Sequence, residues 1–323
     1  MTETKQPKTI SPRVKYPKRP VNGVLLLDKP IGISSNAALQ IAKRLFQAEK
    51  AGHTGTLDPF AGGLLPICFG EATKFSQYQL EADKRYHAVL QLGITTTTGD
   101  PEGEILETHP VQVTLAQIEA VIAAFIGSIM QTPPMYSALK YQGKPLYEYA
   151  RAGITIARAA RPVQIRDIAL QAFDATLVTI EVSCSAGTYI RTLAEDIGAA
   201  LGCGAHLREL TRLGSGGFVS GNAVTLAQLE DDSGIQRDAR LLAADGLVAY
   251  LPLLEIDAIA AKALLLGQQP HHEGSLGVTG LMRIYHQNLF LGLADLRVDG
   301  VMVAQRLMRT GPLAFNTNKS AGI

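Results

Sequence analysis

The sequence predicts an α+β fold with a mixed or antiparallel central sheet, followed by a small β-rich C-terminal domain. Three observations carry that prediction. Segments that alternate at period two lie among segments with helical spacing, yet they follow no regular βαβ order. The chain has 323 residues, beyond the usual span of about 100–200 residues for one domain, so two domains are expected. Beyond about residue 250, one helical segment precedes short strands with turn residues about every eight positions.

Taken in order, GVLLLDKP (23–30) is a short apolar strand ending at a proline, and SSNAALQIAKRLF opens a helix with Ser34 as its N-cap. Residues 51–75, AGHTGTLDPFAGGLLPICFGEATKF, crowd five glycines and two prolines into a stretch read as too irregular for helix or strand. RYHAVLQLG (85–93) and LVTIEVSCSAG (177–187) alternate as half-buried strands. TLAQIEAVIAAFIG (114–127) and YIRTLAEDIGAAL (189–201) have the spacing of amphipathic helices. Residues 226–246 are acidic, polar and helical in pattern, and are expected to link the two parts. LPLLEIDAIAAKALLLGQQP (251–270) and residues 281–308 supply the C-terminal helix and strands.

Composition sets the broad class. With 46% hydrophobic and 18% charged residues the chain can build a core and is not a disordered one. No apolar run approaches the roughly 20 residues of a membrane span, and the N-terminus lacks the apolar segment of a secretory signal. A soluble, cytoplasmic protein without a membrane partner is therefore expected. Cys68, Cys184 and Cys203 share no CxxC spacing, which argues against a zinc site or a disulfide framework. They read as buried small hydrophobes.

The charge is unevenly placed. Residues 1–20 carry six Lys or Arg against one Glu, so a net +5 there, against +1 overall, leaves −4 on the remainder. This basic tail, residues 1–21, is expected to be flexible, either a solubilising extension or a weak attractor of phosphate. A second basic stretch lies within the body at residues 140–166. Lys140, Lys144, Arg151, Arg158, Arg161 and Arg166 face one acid, Glu148, with Tyr136, Tyr141, Tyr147 and Tyr149 beside or among them. Cations attract phosphates and aromatic faces stack on unpaired bases, a mixture suited to RNA. A solvated helix face followed by an edge strand would have the same composition.

Within residues 51–75 the chemistry centres on Asp58. Glycines 52, 55, 62 and 63 permit close backbone approaches, and the residue before Pro59 is biased towards extended conformation. Asp58 is thus presented from a stiff point of a tight loop. Alone, it reads equally as a turn aspartate capping its own backbone. Neither the GxxxxGK[ST] of a P-loop nor a GxGxxG after a strand is present.

Several stretches in the same order, KPIGISS, GHTGTLDPFAGGLLP, GEATKF, DKRYHAVLQLG, QTPPMYSALKYQGKPLYEYAR, SAGTYIRTLAEDIG and LRELTRLGSGGF, resemble the bacterial TruB family. That family makes pseudouridine at position 55 in the T arm of tRNA. The resemblance is strong over about residues 22–220 and weaker through a C-terminal segment similar to its PUA-type RNA-binding domain. It implies a pseudouridine synthase fold over residues 22–248, with a basic RNA-contacting insertion at about 130–166. A PUA-like domain over residues 249–312 and a tail at 313–323 would follow.

The implied reaction is an isomerisation. The bond from the base to the ribose breaks, uracil turns while it stays bound, and carbon 5 joins the sugar. Such a step needs a carboxylate, a closed pocket and proton transfers, and neither a metal nor an organic cofactor. Asp58 matches the family's essential aspartate, as nucleophile or as base. Arg191 matches the arginine that pairs with it and would keep it ionised. Tyr86 matches the tyrosine stacked on uracil, and Leu210 the apolar residue closing the pocket. Tyr189 joins them as a substrate contact. His53 matches the residue that enters the T loop where the extruded nucleotide has left. Lys29 and Lys74 match family positions near the catalytic loop, with supporting or phosphate-contact roles.

Each of these residues has an ordinary alternative: a helix-surface charge for Arg191, core packing for Tyr86 and Leu210, a satisfied loop histidine for His53. Two departures are visible: Thr97, where the family often carries an aspartate, and a basic tail longer than the motif region requires, which the resemblance does not explain. The expected partner is the T arm of tRNA, and the expected state a monomer. An RNA N-glycosidase would use a similar flipped nucleotide but needs a means of activating water. A non-catalytic RNA-binding protein would not need Asp58, Tyr86 and Arg191 together.

Overall fold

The fold is given by a computed structural model that describes residues 17–272 and 277–309. Most of the basic tail, the end of the C-terminal domain and the C-terminal tail lie outside the described residues. The last residues of the expected flexible tail are docked. Arg19 pairs with Asp238, its backbone N–H donates to Gln47 O, and Val21 is buried.

Strand β1 (Gly23–Lys29) leads into α1 (Ser35–Leu45), whose N-cap Ser34 accepts from the Ala37 amide. Then come β2 (Ala51–His53), β3 (Gly62–Phe69), α2 (Ser76–Leu80) and β4 (Lys84–Leu92). A small pair, β5 (Ile94–Thr96) and β6 (Ile105–Thr108), precedes α3 (Leu115–Ala124), which opens on a capping box of Thr114 and Gln117. Next are β7 (Gly127–Gln131), a hairpin of β8 (Lys140–Tyr141) and β9 (Lys144–Pro145), and α4 (Leu146–Arg151). Strands β10 (Arg161–Asp174) and β11 (Leu177–Cys184), α5 (Ile190–Ala200) and β12 (Ala205–Ser215) follow. Short β13 (Phe218–Val219) and β14 (Val224–Thr225), with α6 (Leu226–Asp231) and α7 (Gly234–Ala239), complete this part. The C-terminal part holds β15 (Leu253–Glu255), α8 (Ala258–Leu265), β16 (Gly280–His286), β17 (Leu289–Leu296) and β18 (Met302–Leu307).

The central sheet runs β14-β1-β3-β12-β4-β11-β10-β7, with β2 on β3 and β13 on β12. It is mixed: β1 with β14 and β12 with β3 are parallel, and its other pairs are antiparallel. The C-terminal sheet runs β15-β16-β17-β18. No described helix is long and apolar enough to cross a membrane.

One expectation is corrected. Residues 62–69 are a strand, β3, every residue of which is buried. A strand enclosed on both faces needs no alternation, so its run of apolar residues hides the period-two signal. Pro66 is tolerated because its carbonyl faces Thr54 N, just beyond the end of the β2 pairing, where no ladder bond from a proline nitrogen is required. The irregular loop is therefore confined to residues 54–61.

Residues 226–246 are largely helical, as expected, and pack against the body of the chain. Leu229 packs under α1, and the 3-10 turn at Ala244–Val248 buries Leu247 and Val248. One cluster joins Leu247, Val248 and Phe75 with Tyr285, Phe290 and Leu293 of the C-terminal sheet. The two parts thus share an apolar seam. All three cysteines are buried.

Candidate active site

The loop carrying Asp58 is fixed from several directions. Ser35, on the first turn of α1, accepts a hydrogen bond from Leu57 N at 2.7 Å and donates to Leu57 O at 2.9 Å. Gly32 N donates to Pro59 O, and Ala61 N to Asp58 O. The turn bearing Ser35 is itself held by Lys29, whose Nζ donates to Pro30 O (2.9 Å) and Ile33 O (2.7 Å). Lys29 is 1% exposed, and burial lowers its pKa to about 8. It acts on Asp58 through this turn, and both of its bonds are to the protein's own backbone.

Arg191 reaches the same point from α5. The helix start has no side-chain cap of its own. Buried Gln131 of β7 takes that place, accepting from Tyr189 N (2.7 Å) and donating to Tyr189 O (3.0 Å). Arg191 then lies buried with Nε 3.1 Å from Asp58 Oδ2 and Nη1 3.2 Å from Asp100 Oδ2. Its remaining donors go to Thr98 O (3.0 Å) and Tyr136 O (2.6 Å). The guanidinium thus ties the Asp58 loop, the Asp100 turn and the root of the basic insertion together.

Asp100 was not anticipated from sequence. It is enclosed, and its other oxygen accepts from Thr98 Oγ1 and Glu102 N. Only a GDPEG turn marks it locally, and a turn aspartate there is unremarkable. Thr97, the departure noted above, accepts from Glu104 N at the other side of the same turn. Asp58 keeps a third of its side chain exposed. Burial lifts its pKa above the ordinary range, Arg191 opposes this, Asp100 adds to it and Lys29 opposes. Arg191 pairs with Asp58 and opposes the rise, but it is shared between two carboxylates.

These groups surround a cavity of about 340 Å³. Asp58, Tyr86, Tyr189, Arg191 and Leu210 all line it, so five of the eight expected residues converge. Asp58 is the one acidic side chain among the described residues that does. Tyr86 on β4 and Leu210 on β12 lie on adjacent strands, both nearly enclosed. The Tyr86 phenol is shifted up by burial, with Arg212 opposing. Tyr189 stacks under Arg161, 5.6 Å from its ring centroid.

Three expected residues lie outside the lining. Lys29 has the supporting place just described. His53 ends β2, with Nδ1 buried and unpartnered and its pKa lowered by burial and then by Arg212. Lys74 lies on the apolar seam, donating to Glu71 Oε2 (2.7 Å) and Leu307 O (2.8 Å). The family match put Lys74 near the catalytic loop, but β3 carries the chain away from that loop.

Two buried cations that line the cavity were also missed. Lys84 donates to the carbonyls of Gln79, Leu80 and Ala82, and burial lowers its pKa to about 8. Arg212 donates to Leu64 O at 2.7 Å and Gly55 O at 3.3 Å. Its signal was its position two residues after Leu210, which puts both on one face of a strand. The basic stretch divides: β8, β9 and α4 (residues 140–151) form a lobe beside the cavity-lining residues 137–139, and residues 161–166 belong to β10 of the central sheet. In the lobe Lys144 lies over the Tyr149 ring at 4.9 Å, Arg151 over Tyr147 at 5.4 Å, and Tyr141 meets Tyr149 edge to face. Among the described residues no cluster of His, Cys, Asp or Glu is arranged to hold a metal ion.

Comparison with known proteins accords with this geometry. The N-terminal domain of TruB family pseudouridylate synthase matches residues 43–190. A tRNA pseudouridylate synthase B C-terminal domain matches 191–249, and a C-terminal domain of pseudouridine synthase II TruB matches 252–308. The tRNA pseudouridine synthase B of Thiobacillus denitrificans is 57% identical, over 92% of this chain and 99% of that one. That of Methylobacillus flagellatus is 55% identical, over 91% and 98%. Among solved structures, a Cbf5-Nop10-Gar1 complex aligns with a TM-score of 0.69 at 27% identity, covering 92% of this chain and 90% of that one. The chain belongs to the TruB family of pseudouridylate synthases.

Proposed function

We propose that the protein converts uridine 55 in the T loop of tRNA to pseudouridine, acting as a monomer in the cytoplasm. The observation that carries this is Asp58 paired with Arg191 at the mouth of a cavity lined by Tyr86 and Leu210. A flipped uridine brings its ribose to Asp58 and its base against the Tyr86 ring. Asp58 then acts at the sugar, and Tyr86 and Leu210 retain the detached uracil. Asp100, turned to Arg191 and away from the cavity lining, leaves Asp58 without a second carboxylate to activate water. This favours isomerisation over N-glycosidase chemistry.

The basic insertion, about residues 130–166, contacts the T arm through phosphates and stacked bases. His53 fills the space left by the extruded nucleotide, and the C-terminal sheet, within residues 249–312, is the PUA-like RNA-binding part. The experiment is to treat an unmodified tRNA transcript with the protein and map pseudouridine by carbodiimide adducts that stop reverse transcription. A single new stop reporting position 55 is expected. A stop elsewhere, or none, contradicts the assignment.

A further inference from the structure

The buried polar side chains lining the cavity are Lys84, Ser137, Arg191 and Arg212. Arg191 is matched by two carboxylates. Arg212 is not: it is 1% exposed and makes no ion pair among the described residues. Its Nε and one terminal nitrogen are committed to Leu64 O and Gly55 O, and its guanidinium also interacts with the Tyr86 phenol. A buried cation without a counter-ion is costly, and such sites are retained where an anion arrives.

The Nη1 nitrogen lies beside the Asp58 loop. Gly55 has φ +133°, and a Cβ added there would lie 3.5 Å from Nη1. Arg212 stands opposite Tyr86 in the β4–β12 ladder, on the same face as Leu210. The cavity lining thus brings the Asp58 carboxylate together with the cations Lys84, Arg191 and Arg212, the last of them paired across the ladder with Tyr86.

Resting on the proposed isomerase reading, we infer that Arg212 is a catalytic residue whose guanidinium stabilises the negative charge that develops on uracil as it leaves the ribose. The C1′–N1 bond breaks with its electron pair passing to the base, giving a uracil anion, while C1′ becomes electron-deficient beside Asp58. After the base turns, C5 supplies the pair for the new bond to C1′, the C5 proton is lost, and N1 takes up a proton. Atoms and charge balance without another reactant. A preorganised cation at the base and a carboxylate at the sugar match this charge separation.

The test compares two T-arm RNAs, one with uridine and one with 5-fluorouridine at the target, in single-turnover reactions. Loss of the parent nucleoside after nuclease digestion is measured. Fluorine makes the base a better leaving group, so it replaces part of what Arg212 supplies. Arg212→Met should slow the uridine RNA by about 10²–10³-fold and the fluorinated RNA by at least about tenfold less, with Arg212→Lys between. RNA affinity should stay within about threefold. Equal slowing on both RNAs, or no slowing, overturns the inference. Should neither variant fold, the wild-type protein decides. Its own rate ratio between the two RNAs should be below about tenfold, and a ratio of about a hundredfold or more overturns the inference. No conversion of the uridine RNA by wild type would instead count against the proposed function.

Discussion

Replacing Arg191 with methionine separates the structural from the chemical role of the shared guanidinium. The substitution leaves two carboxylates, but they are not equally placed. Asp58 is 35% exposed and remains hydrated, so losing its partner costs little stability. Asp100 is 4% exposed, and its Oδ2 loses the cation while Oδ1 keeps its two donors. Breaking a buried pair by removing one partner costs about 3–5 kcal/mol, a large part of the roughly 5–15 kcal/mol that holds a domain together. The carbonyls of Thr98 and Tyr136 also lose their donor, for about 1 kcal/mol each. Urea denaturation followed by circular dichroism should show that loss for Arg191→Met. Adding Asp100→Asn should restore about 2 kcal/mol, whereas adding Asp58→Asn should restore almost none. Rescue by Asp58→Asn in place of Asp100→Asn, or a cost for Arg191→Met below about 1 kcal/mol, would refute the reasoning.

Three further outcomes follow from the same geometry. Because burial raises the Asp58 pKa, the acid limb of kcat/KM should lie above the ordinary aspartate value of about 3.9; a limb at or below it contradicts the assignment. For stability the sign is that of a raised carboxyl, a contribution present at low pH and lost as pH rises through the folded pKa. Asp58→Asn should therefore melt no lower than wild type at pH 7, with any advantage vanishing towards pH 4, as scanning calorimetry would show. Gly63→Ala should destabilise by several kcal/mol, about 3 or more, since φ is +94° and the new Cβ would meet Arg212 O at 2.5 Å; wild-type-like melting would contradict that. RNA affinity should fall as salt rises, and Lys144→Ala with Arg151→Ala should flatten the slope by about two counterions if the lobe contacts phosphate.

Much of the fold was legible because its signals are local. β1, β4, β11, α1, α3 and α5 each carry their own period or cap. β3 was hidden because a strand buried on both faces has no polar alternation, and its glycines and proline resemble a loop. At the site, Asp58, Tyr86, Arg191, Tyr189 and Leu210 were named through the family resemblance, and they meet at one cavity. Asp100, Gln131 and Ser35 were not, since each acts by a contact across at least 20 residues of chain that no spacing encodes. Lys74 was grouped with the site through the family resemblance, yet it bonds to Leu307 O of the C-terminal sheet.

The central claim is that Asp58 drives an isomerisation with formation of a carbon–carbon bond. The most direct measurement uses a T-arm RNA tritiated at carbon 5 of the target uridine, treated with wild type and with Asp58→Ala. Joining C5 to the ribose expels the label into water. Release of one tritium per RNA by wild type, and none by Asp58→Ala despite intact binding, is the predicted result. Free labelled uracil would indicate a glycosidase, and intact labelled RNA with wild type, or full release by Asp58→Ala, would contradict the account.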